Sequence, residues 1–125
     1  MVPLKRRDGP LDYRLCNQTV TLYHWDGQDT VTRTVIEKGA FLDFKKVQDV
    51  SKTGSSEVNR FLLVIPCSKS PVAVGDKVLL GAGPELSSRA DWAGFIPAKV
   101  PGLVVVKYVD PKYWKGRMAH VEAGG

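Results

Sequence analysis

The chain has 125 residues, of which 43% are hydrophobic and 25% charged; this is the make-up of one soluble globular domain, with room for a single core but not for a core plus a separate substrate domain. No apolar run approaches the roughly 20 residues a membrane helix needs, and Met1-Val2-Pro3-Leu4-Lys5-Arg6-Arg7-Asp8 lacks the apolar core of a signal peptide, so cytoplasmic synthesis and no membrane partner are expected. A net charge of +5 and a pI near 9.3 favour polyanions or acidic protein faces as partners, although the basic residues are scattered and cluster only at Lys5-Arg6-Arg7.

Residues 1–14 read as an arm, since Pro3, Gly9 and Pro10 interrupt any helix and apolar residues are few. Leu11, Tyr13 and Leu15 alternate, so the arm is expected to be able to dock as an edge strand. The runs 19–25 and 30–36 alternate Thr, Val, Tyr, Trp and Ile around Asp26-Gly27-Gln28-Asp29, which is a hairpin signal. Val20, Leu22, Val31 and Val35 are its candidate buried face. Gly39 breaks the pattern before a short strand over 40–45, and the polar stretch 46–59, centred on Lys52-Thr53-Gly54-Ser55, reads as a loop or long hairpin tip. Arg60-Phe61-Leu62-Leu63-Val64-Ile65 reads as a strand buried on both faces.

Residues 66–101 are repeatedly broken by Pro and Gly and read as one long irregular loop. Within it, Val74 to Gly81 has the form of a turn feeding a strand, and 84–92 has room for one helical turn. A strand over 102–109, a turn at Asp110-Pro111-Lys112 and a last strand over 116–123 follow. The expectation is an all-β chain: a small antiparallel β-barrel or sandwich of about six to eight strands over 15–125, with the long loop 66–101 and the arm 1–14.

Chemistry-bearing residues are sparse. Cys16 and Cys67 lack CxxC spacing and His partners, and read as free thiols. His24 and His120 both fall in strands and read as packed or surface residues, because a catalytic His needs a nucleophile or metal and an orienting group. Asp43, Asp49, Glu85 and Asp91 are acid–base candidates only by default, and Gly81-Ala82-Gly83-Pro84 lacks the Lys-Ser/Thr of a phosphate loop. No enzyme activity, metal or cofactor is expected. Two sets interleave aromatic and basic residues as nucleic-acid faces do: Tyr23, Trp25 and Arg33, and Lys107, Tyr108, Lys112, Tyr113 and Trp114; the expectation favours core or cross-strand aromatics with solvated lysine neighbours, since the pattern is no denser than in any basic β-protein.

Three stretches together carry a resemblance: Thr32-Arg33-Thr34-Val35-Ile36 leading to Gly39 and Phe41; Lys52-Thr53-Gly54-Ser55 before Phe61-Leu62-Leu63-Val64-Ile65-Pro66; and Tyr113-Trp114-Lys115-Gly116 before His120-Val121-Glu122-Ala123-Gly124. Over roughly residues 17–124 the chain resembles small minor capsid or head–tail connector proteins of tailed phages of Gram-positive bacteria. The resemblance implies a non-enzymatic head-completion (stopper-type) protein of the virion neck. It further implies a twelve- or six-fold homo-oligomeric ring between portal or adaptor and tail, with packaged double-stranded DNA in its channel. Within that picture the expected partner or DNA-channel contacts are Lys5, Arg6 and Arg7 in the arm and Lys69, Lys77, Arg89, Asp91, Trp92 and Lys99 in the long loop. Alternatives are another capsid-accessory, decoration or tail-completion protein, and a barrel-type nucleic-acid-binding module.

Overall fold

The computed structural model describes residues 13–51 and 54–125, with side chains described outside 45–59. Among the described residues, seven strands, β1 (Gln18–Trp25), β2 (Val31–Ser51), β3 (Gly54–Pro66), β4 (Lys77–Leu80), β5 (Val104–Val105), β6 (Tyr108–Trp114) and β7 (Arg117–Gly124), and one short helix, α1 (Arg89–Gly94), make up the fold. All strand pairs are antiparallel, in the order β5-β4-β1-β2-β3-β7-β6. The sheet curls into a barrel-like shape, as the strand-rich sequence predicts.

β5 and β6 stand at opposite ends of that order yet are consecutive in the chain, so one segment joins both edges. Val106 donates its N–H to the Asp76 carbonyl at 2.8 Å and accepts from Gly75 at 2.8 Å, while the next amide, Lys107, donates to Gly124 at 2.8 Å. Closure of this kind satisfies backbone groups that an open sheet would leave at its edges. The interior holds Val20, Leu22, Ala40, Leu42, Phe61, Leu63, Ile65, Val72, Val78, Val104, Val106, Val121 and Ala123.

Asp26 builds the first turn: its carboxylate accepts from Gln28 N at 2.7 Å and Thr30 N at 3.2 Å, and Gly27 takes φ +90, which a Cβ would strain. The resulting register pairs Val31 with Trp25 and Val35 with Thr21, whereas Val20 and Leu22 pair with Ile36 and Thr34. Opposed residues share a face, so Val31 and Val35 lie on the side opposite Val20 and Leu22. The expected single buried face is therefore divided, and on β2 it is Ile36, followed by Ala40 and Leu42, that meets the interior.

Gly39 bends β2 rather than ending it. The register shifts from Val20↔Ile36 to Gln18↔Ala40, with Lys38 at φ +50 in the bulge. Gln18 Oε1 accepts from Leu42 N at 2.7 Å where β2 leaves β1 for β3. Beyond this corner the stretch read as a loop or hairpin tip is paired backbone, from Lys45↔Arg60 to Ser51↔Gly54. β7 reaches only Leu62 on β3. Residues 45–51 and 54–60 thus form a two-stranded ribbon about 23 Å long, at roughly 3.3 Å per residue; Lys52 and Thr53 lie outside the described residues.

Two further expectations change. Tyr13 to Cys16 forms a turn closed by Cys16 N to Tyr13 O at 2.9 Å, not an edge strand, and Leu11 lies outside the described residues. Asp110-Pro111-Lys112 lies inside β6. Pro is tolerated there because, among the described residues, β6 pairs only with β7, so its missing N–H costs no ladder bond on the outer side. The turn is at Lys115-Gly116, where φ of +51 and +77 at both central residues is the twist-matched two-residue hairpin geometry.

Candidate functional site

The long loop is a packed cap, not an open excursion. Thr21 and Tyr23 point outward from β1, and residues 81–84 are bonded onto them. Thr21 Oγ1 donates to Gly81 O at 2.6 Å and accepts from Gly83 N at 2.9 Å, and Tyr23 Oη donates to Pro84 O at 2.7 Å. Arg33 Nε donates to Gly83 O at 2.9 Å from β2. Under this cap Tyr23, Phe95 and Leu103 form a second small core, with Val31, Leu79, Leu86, Trp92 and Val100 packed against it. Tyr23 meets Phe95 edge-on at 4.7 Å between ring centroids, a geometry the ring quadrupoles favour.

Among the expected contact residues, Lys77, Asp91 and Trp92 are brought together by α1. Lys77 is only 7% exposed. Its ammonium donates to Trp92 O at 2.8 Å and Phe95 O at 2.6 Å, and lies 4.0 Å from the Trp92 ring centroid. The cation thus closes the C-terminal end of α1, where carbonyls lack helical partners. Burial pushes its pKa below the ordinary lysine value. Lys77 is a clamp beneath the cap and cannot line a DNA channel, which corrects that expectation. Asp91 serves the other end of the helix: Ser88 Oγ accepts from Asp91 N at 3.1 Å, and the Asp91 carboxylate accepts from Ser87 N at 3.0 Å. Those Ser87 bonds hold the Asp91 carboxyl below its usual pKa.

Trp92 is half-buried and faces Trp25 at 5.9 Å. Arg89 and Lys99 are exposed on the cap, and Lys69 is exposed in the segment between β3 and β4. Lys5, Arg6 and Arg7 lie outside the described residues.

Both histidines have partners that sequence alone does not reveal. His120, 2% exposed, takes Tyr13 Oη on Nδ1 at 2.8 Å and Glu122 Oε2 on Nε2 at 2.9 Å. With both nitrogens used, the ring pins the Tyr13 turn to the outer face of β7. Burial raises the Tyr13 hydroxyl pKa, with smaller contributions from Cys16, Cys67 and Glu122; burial also leads the upward shifts of Cys16 and Cys67, which are free. Thiols held protonated are poor nucleophiles. His24 Nδ1 meets the buried Asp76 carboxylate at 2.5 Å, and the other Asp76 oxygen accepts from Ala73 N at 2.8 Å. This ties the end of β1 to the turn before β4. Among the described residues no cluster of His, Cys, Asp or Glu is arranged to hold a metal ion.

The β6–β7 hairpin presents the other surface of note. Tyr108 and Tyr113 are 49% and 61% exposed. Tyr108 lies over Gly124: a Cβ there would stand 2.5–2.7 Å from its ring atoms and hydroxyl. Only glycine lets the ring settle onto the strand. Compared with known proteins, the chain matches no family model and has no significant match among curated proteins or solved structures.

Proposed function

We propose that this chain is a structural component of the neck of a tailed-phage virion, a head-completion protein of stopper type. It forms a ring that joins portal or adaptor to tail, helps retain packaged double-stranded DNA, and catalyses no reaction. The observation that carries this reading is the ribbon of residues 45–51 and 54–60, which leaves the barrel and, among the described residues, pairs only with itself. Two-stranded ribbons gain little stability alone in water. This one has only Val47, Val50 and Val58 as apolar residues, so a neighbouring subunit or the channel is where it is put to use. The described residues of the stretches that carry the resemblance to connector proteins fall on β2, on β3 and on the β6–β7 hairpin. In a ring the rigid barrel and cap form the wall, and the exposed Arg89, Lys99 and Lys69, with half-buried Trp92, are available to neighbours.

Disrupting the encoding gene tests the reading. Heads that package DNA but lose it, and that fail to join tails, are the expected product; DNA-filled, tailed particles in normal number would overturn it. Antibody labelling of intact particles should mark the single tail vertex, and label spread over the capsid faces would point to decoration instead. Native mass spectrometry of the chain with its adaptor should give six or twelve copies.

A further inference from the structure

We infer that the β6–β7 hairpin is a binding surface for single-stranded nucleic acid. Charge is the first observation. From 107 to 117 the chain has four cations, Lys107, Lys112, Lys115 and Arg117, against one carboxylate, Asp110. The cap, 81–103, balances Arg89 and Lys99 against Glu85 and Asp91. The positive charge expected on the long loop is thus concentrated on this hairpin.

Lys112 is committed to Asp110 at 2.7 Å, and Glu122, on the same face, is turned to His120. Lys107, Lys115 and Arg117 are exposed and form no ion pair among the described residues. They stand at the two ends of β6, where a backbone running along the strand would pass both.

The aromatic rings are the second, independent observation. Tyr108 packs one side against Gly124 and is 49% exposed, so its outer side is presented to solvent on the sheet face. Trp114, six residues on and so on the same face, is half-buried and stands roughly 20 Å along the strand at 3.4 Å per residue, whereas Tyr113, 61% exposed, lies on the opposite face. Lys115 Nζ lies 5.8 Å from the Trp114 ring centroid. Exposed rings flanked by cations are what unpaired bases and their phosphates require, since every base has a face to stack and each phosphate a charge to neutralise. A duplex hides those faces, so the rings favour single strands over duplex.

The inference does not rest on the neck reading. A chain that binds no DNA but occupies the tail vertex leaves that reading standing, and one that binds DNA but is absent from particles leaves this one. The test is fluorescence anisotropy with a labelled 15-nucleotide oligothymidine and a 15-base-pair duplex, between 50 and 200 mM NaCl. Three phosphate contacts on a single strand weaken affinity about 18-fold over that range, at a slope of about 0.7 per contact. Lys115→Ala/Arg117→Ala should leave about a 3-fold dependence. Arg89→Ala/Lys99→Ala, which removes equal charge from the cap, should leave the wild-type slope. Tyr108→Ala, at a half-exposed site, should weaken oligothymidine at least about 5-fold, the loss of one stacking contact, and leave duplex binding unchanged, whereas Tyr113→Ala, on the opposite face of β6, should leave both unchanged. Absence of oligothymidine binding at 50 mM, a duplex bound as tightly, or an equal loss from the cap variant would each overturn the proposal.

Discussion

Replacing Lys77 with Met separates a structural cation from a DNA-contacting one. The substitution keeps the unbranched stem that packs against Trp92 but removes the ammonium that donates to Trp92 O and Phe95 O. Trp92 O keeps one donor, Phe95 N at 3.2 Å, whereas Phe95 O loses its charged partner in a buried place. An orphaned buried carbonyl costs about 1–3 kcal/mol, offset in part because an ammonium no longer has to be desolvated. A net loss of about 2 kcal/mol follows. For 125 residues the unfolding entropy is about 0.26 kcal/mol/K, so the melting midpoint should fall by about 8 °C. Calorimetry at pH 7 on the parent, Lys77→Met and Lys99→Met reads this directly, with the exposed Lys99 staying within about 2 °C of the parent. A Lys77→Met midpoint also within about 2 °C would refute the clamp and return Lys77 to the surface.

Gly83→Ala should lower stability by about 1–3 kcal/mol in urea melts, because the new Cβ meets Tyr23 Oη and, at 2.9 Å, Leu79, and Tyr23 is fully buried and tied to Pro84; an unchanged midpoint would show that the cap yields. Lys115→Asn should raise stability by about 0.5 kcal/mol, since Lys115 sits at φ +51 and Asn tolerates that region better; thermal melts would detect a shift of about 2 °C. Burial raises the folded pKa of Cys16, Cys67, Tyr13 and Tyr23. The stability gained by keeping them protonated is complete below about pH 8.5 and is lost as pH rises through the folded values. Lys77, shifted down, acts in the opposite sense between its folded pKa and about 10.4. Urea midpoints from pH 8 to 11 should therefore fall, and fall more steeply in Lys77→Met; a flat profile in both would contradict the burial of these groups.

The hairpin around Asp26 was legible because Asp-Gly and alternating β-branched residues act locally, over a few bonds. Its faces were not: which residues are buried depends on register, and a connection closed by Asp26 N to Thr30 O at 3.1 Å places Val31 and Val35 opposite the residues that periodicity groups them with. Asp110-Pro111 carries a strong turn signature, yet Pro111 sits in an edge strand, while Lys115-Gly116 turns the chain without the usual Asn or Asp. Local propensity was overridden by pairing in both cases. The polar ribbon was half legible, since without an apolar face nothing distinguishes a strand from a loop until its partner is known. Lys77 was read as a surface cation because lysine is almost never buried unless its charge is met, and the carbonyls that meet it belong to residues 15 and 18 positions away. The excess of cations on 107–117 is plain in the sequence, but their exposure beside Trp114 depends on where the true turn falls.

The segment from Val104 to Trp114 has a consequence for how this chain matures. Its two central amides, Val106 and Lys107, bind opposite rims of the sheet, so the barrel cannot be completed until β7 is in place, whatever has formed upstream. A nascent chain displaying β1 to β4 leaves the β3 and β4 margins bare as it emerges from the ribosome, and such margins recruit strands from other molecules. The order of synthesis thus sets a period in which inclusion-body formation competes with closure, and that competition ends only when Gly124 accepts the Lys107 amide.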